Sequence, residues 1–310
     1  MTMLRMTPLD PSIEVSIGIV TYNRAALLDQ CLRSIDVACQ HISYEVLVAD
    51  NASTDNTVEL VRERHPNVAL LPNARNMGLT RGVNQVLSRA RGRHMLVLDS
   101  DTKIEPTAIT DLLKFQRCHQ EAGAVTPKLV YPDGTEQGAH KAFPTPLAAL
   151  AGRRSLLRRL FPNNPLSRRY LLSAYTDTAE SYEVDSASAA CVLLRREVVE
   201  QAGGMDEDFF VYWSDVEWCR RIKEHGWKIW VVPTARVIHF ESLSNAKQRP
   251  RAIIDFHKGA YLCYCKHQAR SLFHPMRAVA LVGLSLRAVL LLFFNAFKAS
   301  PTPIQKQGTV

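Results

Sequence analysis

Through the N-terminal third of the chain, short apolar runs alternate with segments whose apolar residues recur at helical spacing. Residues 15–20 read as a first strand and 44–49 as a second. Each ends in a polar cluster, Thr21-Tyr22-Asn23-Arg24 after the first and Asp50-Asn51-Ala52-Ser53 after the second. Between them, 25–38 carries Leu27, Leu28, Cys31, Leu32 and Ile35 on or near one face, the pattern of a helix covering a sheet. Residues 55–64 predict a helix, 68–71 a third strand, Asn76-Met77-Gly78 a turn and 80–90 a further helix. The mostly apolar run from His94 to Leu98 then stops at Asp99-Ser100-Asp101 and reads as a buried central strand. Regular alternation of strand and helix predicts an α/β fold, a mostly parallel sheet covered by helices. Right-handed crossovers gather the loops at 21–24, 50–53 and 99–101 along one edge of that sheet.

The second half is less regular. Residues 125–130 predict a strand, followed by a Pro132-Asp133-Gly134 turn. Residues 151–170 hold three arginine pairs and no acid, which suits a mobile flap against an anionic surface or a solvated basic loop. A strand at 189–194 and a short helix at 198–202, stopped by Gly203-Gly204, lead into Phe209-Phe210-Val211-Tyr212-Trp213-Ser214-Asp215. Helical spacing resumes at 216–225, so Asp215 stands at a helix start, either as a cap or as a general base beside an acceptor. Tyr212 and Trp213 would then wall the acceptor site. Short extended segments are expected at 230–233 and 236–239, the second ending in His239, a structural histidine or a ligand.

Asp99 and Asp101 are the candidate chemistry. Residues two apart in extended chain face the same way, and two carboxylates so placed repel unless a cation lies between them. A hard divalent ion shared with a phosphate is one answer, a polar turn after a strand the other. Neither a Gly-x-Gly-x-x-Gly nor a Walker A sequence occurs, which argues against a nicotinamide oxidoreductase or a P-loop enzyme. The net charge of +8 is concentrated at the C-terminus, where residues 245–310 carry ten lysines and arginines against one acid, Asp255. That excess lies away from the predicted cleft, which disfavours nucleic-acid binding and points to an anionic membrane surface. The apolar stretch from Ala278 to Phe297 is long enough to span a bilayer, but Arg287 interrupts it. A helix over 276–299 with Arg277, Arg287, Asn295 and Lys298 on one side suits a membrane interface, cationic side toward the headgroups. Packing on the protein's own core or on a second subunit, as in a homodimer, is the alternative. Seven scattered cysteines and no apolar leader predict a reduced, cytoplasmic protein.

Taken in order, several short motifs resemble family 2 glycosyltransferases of the GT-A fold, in the branch that includes bacterial rhamnosyltransferases. They are Val20-Thr21-Tyr22-Asn23-Arg24, Val48-Ala49-Asp50-Asn51-Ala52-Ser53, Asn76-Met77-Gly78-Leu79, Leu98-Asp99-Ser100-Asp101, Gly203-Gly204-Met205-Asp206, Asp215-Val216-Glu217 and Val237-Ile238-His239. The resemblance implies a GT-A domain over 13–245, with a nucleotide-sugar half at 13–103 and an acceptor half at 104–245. A basic helical region would follow at 246–310. It implies that Thr21, Tyr22, Arg24, Asp50, Asn51, Arg81, Asp99 and Ser100 form the donor site, Asp50 accepting from the pyrimidine and Asp99 lying by the ribose. Asp101 and His239 would bind Mg²⁺ or Mn²⁺ on the diphosphate, Asp215 would be the base of an inverting reaction, and Tyr212 and Trp213 would meet the acceptor. The expected donor is a dTDP- or UDP-sugar, rhamnose or alternatively a UDP-hexose. The expected acceptor is a saccharide or a lipid-linked sugar of cell-surface polysaccharide synthesis, met at the inner face of the plasma membrane. Two motifs depart from the family: Ser214-Asp215 replaces an acidic pair, and Met205 replaces a phenylalanine.

Overall fold

The computed structural model describes residues 4–144, 160–161, 178–240 and 250–297. The arginine pairs of the basic loop and Lys298 lie outside the described residues. Nine strands form one sheet: β1 (Val15–Thr21), β2 (Tyr44–Asp50), β3 (Ala69–Pro72), β4 (His94–Asp99), β5 (Thr102–Ile104), β6 (Ala122–Val130), β7 (Tyr182–Val184), β8 (Cys191–Arg195) and β9 (Lys228–His239). Their order is β3-β2-β1-β4-β8-β6-β9-β5, with β7 pairing β9 off that path. Six strands (β1, β2, β3, β4, β6 and β9) run one way, and three (β5, β7 and β8) run against them. The sheet is thus mostly parallel, as the alternating N-terminal pattern predicts, with the reversals confined to the later strands.

Helices α1 (Ala25–Ala38), α2 (Thr57–Arg64), α3 (Leu79–Arg89), α4 (Ala108–Cys118), α5 (Arg196–Ala202) and α6 (Ser214–Glu224) cover the sheet. Strand β4 shows why its sequence is continuously apolar. Leu96 and Leu98 join one buried cluster with Leu28, Leu32 and Ile35 of α1, while Met95 and Val97 join another with Val83 and Leu87 of α3. A strand covered on both faces has no polar side to alternate with. Helix α3 approaches β1 closely because Gly18 has no side chain: a Cβ there would stand 2.5 Å from Val86 Cγ2.

The expected segments at 230–233 and 236–239 are one strand. β9 pairs β6 from Lys228 to Val232 and again from Arg236 to Ile238, and Pro233, Thr234 and Ala235 fall in the register shift between them. Proline cannot donate to the ladder, so the strand bulges there. The bulge explains why the apolar pattern reads as two pieces. Beyond it β9 pairs the three-residue β5, which sets His239 opposite Thr102 and next to Asp101.

The chain divides into two compact units, one comprising residues 1–208 and 214–240, the other 209–213 and 241–310. The second contains α7 (Pro250–His267) and α8 (Met276–Ala296), a helical hairpin. Arg277 Nε reaches Cys265 Sγ at 3.2 Å and Arg287 Nη1 meets His257 Nε2 at 3.1 Å, contacts that advance along α8 as they retreat along α7. Asn295 is buried. The described polar stripe of α8 therefore turns toward α7, where the sequence pattern suggests headgroups, because the Cys265 sulfur and the His257 ring there engage its two guanidinium groups. Tyr212 and Trp213 also belong to this unit, with ring centroids 5.8 and 5.5 Å from that of Phe256. Gly259 permits this packing, since a Cβ there would lie 2.7 Å from the Tyr212 carbonyl oxygen. Trp213 has φ 71°, and its buried indole N–H has no partner among the described residues.

Candidate active site

Residues Thr21 and Asp50 end β1 and β2 and face each other in register. Both are buried, and Thr21 Oγ1 and Asp50 Oδ1 have no hydrogen-bond partner among the described residues. Such orphaned oxygens in a closed site are costly unless a ligand donates to them. The other Asp50 oxygen accepts from the Ser53 amide at 2.9 Å, which fixes the carboxylate. The loops after β1 and β2 are laced together. Asn23 N donates to Ser53 Oγ at 2.9 Å, and Asn23 Oδ1 accepts from the Thr54 amide at 2.7 Å. Asn23 and Ala52 both have positive φ, 52° and 61°, so the turns are held by this network against their intrinsic preference.

Asn51, expected in the donor site, fastens the neighbouring turn. Its amide donates to Gly78 O at 3.0 Å and its carbonyl accepts from Asn73 Nδ2 at 3.2 Å. Arg81 is paired with Glu207 at 3.2 Å, both half-exposed. Ser100 is buried in the turn between the two aspartates and Tyr22 is exposed. The Gly203-Gly204-Met205 motif is scaffolding: Asn84 bonds both the amide and the carbonyl of Met205, at 2.7 and 2.8 Å. Trp218 Nε1 and Arg221 donate to Gly203 O and Gly204 O at 2.9 and 2.7 Å, tying α6 to the same turn.

Asp99, Asp101 and His239 form a cluster whose ligand atoms all lie within 4.8 Å of one another. His239 Nε2 stands 3.4 Å from Asp101 Oδ1 and 3.8 Å from Asp99 Oδ2. Gln137 sets the ring. Its Nε2 donates to His239 O at 2.7 Å, which turns its Oε1 toward His239 Nδ1 at 2.8 Å. Gln137 thereby holds a proton at Nδ1, so Nε2 is the nitrogen that would serve a cation set between the two carboxylates; without one, Nε2 carries a proton and hydrogen-bonds Asp101. Two carboxylates and an oriented imidazole thus fit a divalent cation. Arg24 also bonds Asp101. Burial pushes the Asp99 carboxyl up to about 6, with Asp101 adding to the rise and His239 and Arg24 opposing it. Burial acts the same way on Asp101, but the His239 hydrogen bond and the Arg24 charge outweigh it and hold that carboxyl below its ordinary value.

Asp215 lies in the first turn of α6, where its Oδ1 accepts the Val216 amide proton at 2.8 Å. Burial lifts its carboxyl above the ordinary range, against the pull of Lys141 and of that amide. Asp215 is close enough for its charge to raise Asp99 further. One site therefore gathers Arg24, Asp99, Asp101, Asp215 and His239, with Thr21 and Asp50 at neighbouring strand ends. Gln137 and Lys141 escaped the sequence reading. Both follow an irregular turn and carry no spacing signal; only backbone pairing, Gln137 N to Leu129 O and Lys141 with Ser186 in both directions, brings them in.

Residues 16–203 match the family described as "Glycosyl transferase family 2". The chain belongs to that family. The transferase is 28% identical over 283 residues to N-acetylglucosaminyl-diphospho-decaprenol L-rhamnosyltransferase of Mycobacterium tuberculosis, covering 88% of this chain and 91% of that one. It is 30% identical over 240 residues to the O-antigen biosynthesis protein RfbC of Myxococcus xanthus, covering 77% of this chain and 18% of that protein. These relatives set it in the rhamnosyltransferase-like branch. Among solved structures, mannosyltransferase PcManGT from Pyrobaculum calidifontis, in complex with GDP-Man and Mn²⁺, superposes with TM-score 0.56 at 20% identity, covering 94% of this chain and 76% of that one. Residues 1–349 of S. aureus TarS give 0.55 at 17%, covering 92% and 74%. The transferase has the GT-A fold.

Proposed function

We propose that the transferase moves L-rhamnose from a nucleoside diphosphate donor to a polyprenol-diphosphate-linked saccharide, with inversion and with help from Mg²⁺ or Mn²⁺. The observation that carries this reading is the convergence of the Asp99–Asp101–His239 cluster and the raised carboxyl of Asp215 in one site. The sugar and the lipid-linked acceptor are suggested by the mycobacterial relative, the cation by the donor set and by the Mn²⁺ of the mannosyltransferase complex. In this reading residues 13–103 bind the donor and 104–245 serve the acceptor.

Asp50 Oδ1 accepts the N3–H of the pyrimidine base and the Thr21 hydroxyl donates to a neighbouring ring carbonyl, with Asn51 fixing the adjacent turn. Asp99 lies by the ribose. Asp101 and His239, oriented by Gln137, would hold the cation, which when bound would offset the charge that develops on the departing diphosphate. Arg24 adds positive charge at Asp101. Asp215, with Oδ1 engaged by the Val216 amide, takes the acceptor hydroxyl proton at its other oxygen. The acceptor oxygen then bonds to the anomeric carbon as the bond from that carbon to the diphosphate oxygen breaks, its electron pair leaving with the diphosphate. A raised pKa suits a base that must accept a proton near neutrality. The enzyme works at the cytoplasmic face of the membrane, where a polyprenol-linked acceptor is presented.

The test is a donor panel of dTDP-rhamnose, UDP-glucose, UDP-galactose, UDP-N-acetylglucosamine and GDP-mannose, offered with a polyprenyl diphosphate N-acetylglucosamine acceptor, with Mn²⁺, Mg²⁺ or excess EDTA. Product from dTDP-rhamnose that vanishes in EDTA is expected. Turnover of a UDP-hexose alone would replace the donor assignment, and undiminished turnover in EDTA would remove the cation from the mechanism.

A further inference from the structure

We infer that the α7–α8 hairpin seats the transferase in one leaflet of a lipid bilayer, α8 lying along the surface with its outward face in the acyl chains; this rests on the reading of a lipid-linked acceptor. Helix α8 is 21 residues long and apolar enough to cross a membrane, yet Asn295 is its one buried residue. Val279, Val282, Leu286, Val289 and Phe293 recur at three- and four-residue steps and are all well exposed. The polar groups do the opposite. Arg277 and Arg287 reach Cys265 and His257 of α7, and Asn295 is buried. A helix facing water carries its charges outward and its apolar stripe inward. Here that polarity is reversed, which is the arrangement for an apolar surrounding. The turn between the helices continues the surface, with Leu272 80% and Phe273 94% exposed.

Charge decides what covers this face. Residues 245–310 carry ten lysines and arginines against one acid. A second copy would bring the same excess against itself, whereas the anionic headgroups of a cytoplasmic leaflet complement it. Spanning is disfavoured by the partner helix. α7 exposes Arg251 and Lys258 and carries Asp255, so a hairpin pushed through the bilayer would drag these charges into hydrocarbon. With α8 in the plane, its outward face enters the acyl region and the charges of α7 stay among headgroups and water. Insertion of this kind differs from electrostatic adsorption, because the hydrophobic contact is not screened by salt.

The experiment is co-sedimentation of the full chain with vesicles of phosphatidylcholine alone or mixed with phosphatidylglycerol, in low and in molar salt. The wild type is expected in the pellet with both lipids, more completely with phosphatidylglycerol at low salt, and to remain there in molar salt. The double variant Leu286→Lys, Val289→Lys is expected in the supernatant while keeping transfer to a soluble acceptor analogue, which shows that it folds. Binding confined to anionic vesicles and released by molar salt would overturn insertion in favour of adsorption. A dimer that the two substitutions dissociate, with no vesicle binding, would make the face a self-interface. Vesicle binding without transfer from any donor would sink the proposed function and leave the insertion standing.

Discussion

At Asp215, burial raises the carboxyl while Lys141 pulls it back. If Asp215 is the base, transfer requires its ionised form, so activity falls as pH drops through its pKa. Removing the cation that favours ionisation must raise that pKa. Lys141→Met is therefore expected to shift the acidic limb of the kcat profile to higher pH; an unmoved limb would show that Lys141 does not tune the base. Asp215→Asn keeps the shape and loses the basicity, so kcat should fall by a factor on the order of 10²–10⁴ with nucleotide binding retained, as read by calorimetry against steady-state rates. Gln137→Leu leaves His239 in place but frees its ring. Mn²⁺ affinity, followed by the spin signal of the free ion, should weaken roughly 10–100-fold, as for other outer partners of ligating histidines.

At the scale of the element, the central strands were legible because each is buried on both faces and leaves a continuous apolar run. The same patterning announced α1 and α3. It could not announce β5, whose three residues carry no period, and it divided β9 at Pro233, where the ladder itself breaks. The site was legible to a corresponding degree. Asp99 and Asp101 advertise themselves by terminating β4, and Asp50 by terminating β2. That His239 joins the aspartates depends on β9 pairing β5, a long-range fact no local window contains. Asn51 also fastens a loop and Arg81 also pairs with Glu207, contacts that the linear motif does not announce. Helix α3 offers a test of close packing. Gly18→Ala would thrust a methyl to 2.5 Å from Val86 Cγ2, so stability should fall by about 1–3 kcal/mol, measured as a lower denaturant midpoint with unchanged slope.

For the whole molecule, the consequential fact is that the second compact unit is assembled from two separate pieces of chain. Residues 209–213 leave the first unit and return to it at Ser214, the residue before the proposed base, while Tyr212 and Trp213 pack on Phe256 over the gap left by Gly259. The hairpin is thus no cassette that can be exchanged at its C-terminal boundary. A chimera that takes residues 241–310 from a relative with another acceptor inherits an α7 surface shaped for that relative's own five-residue stretch, and the mismatch falls one residue from α6. Co-transplanting 209–213 with the hairpin should restore the rate that the single graft loses. In the history of such enzymes, these two segments would have to change together.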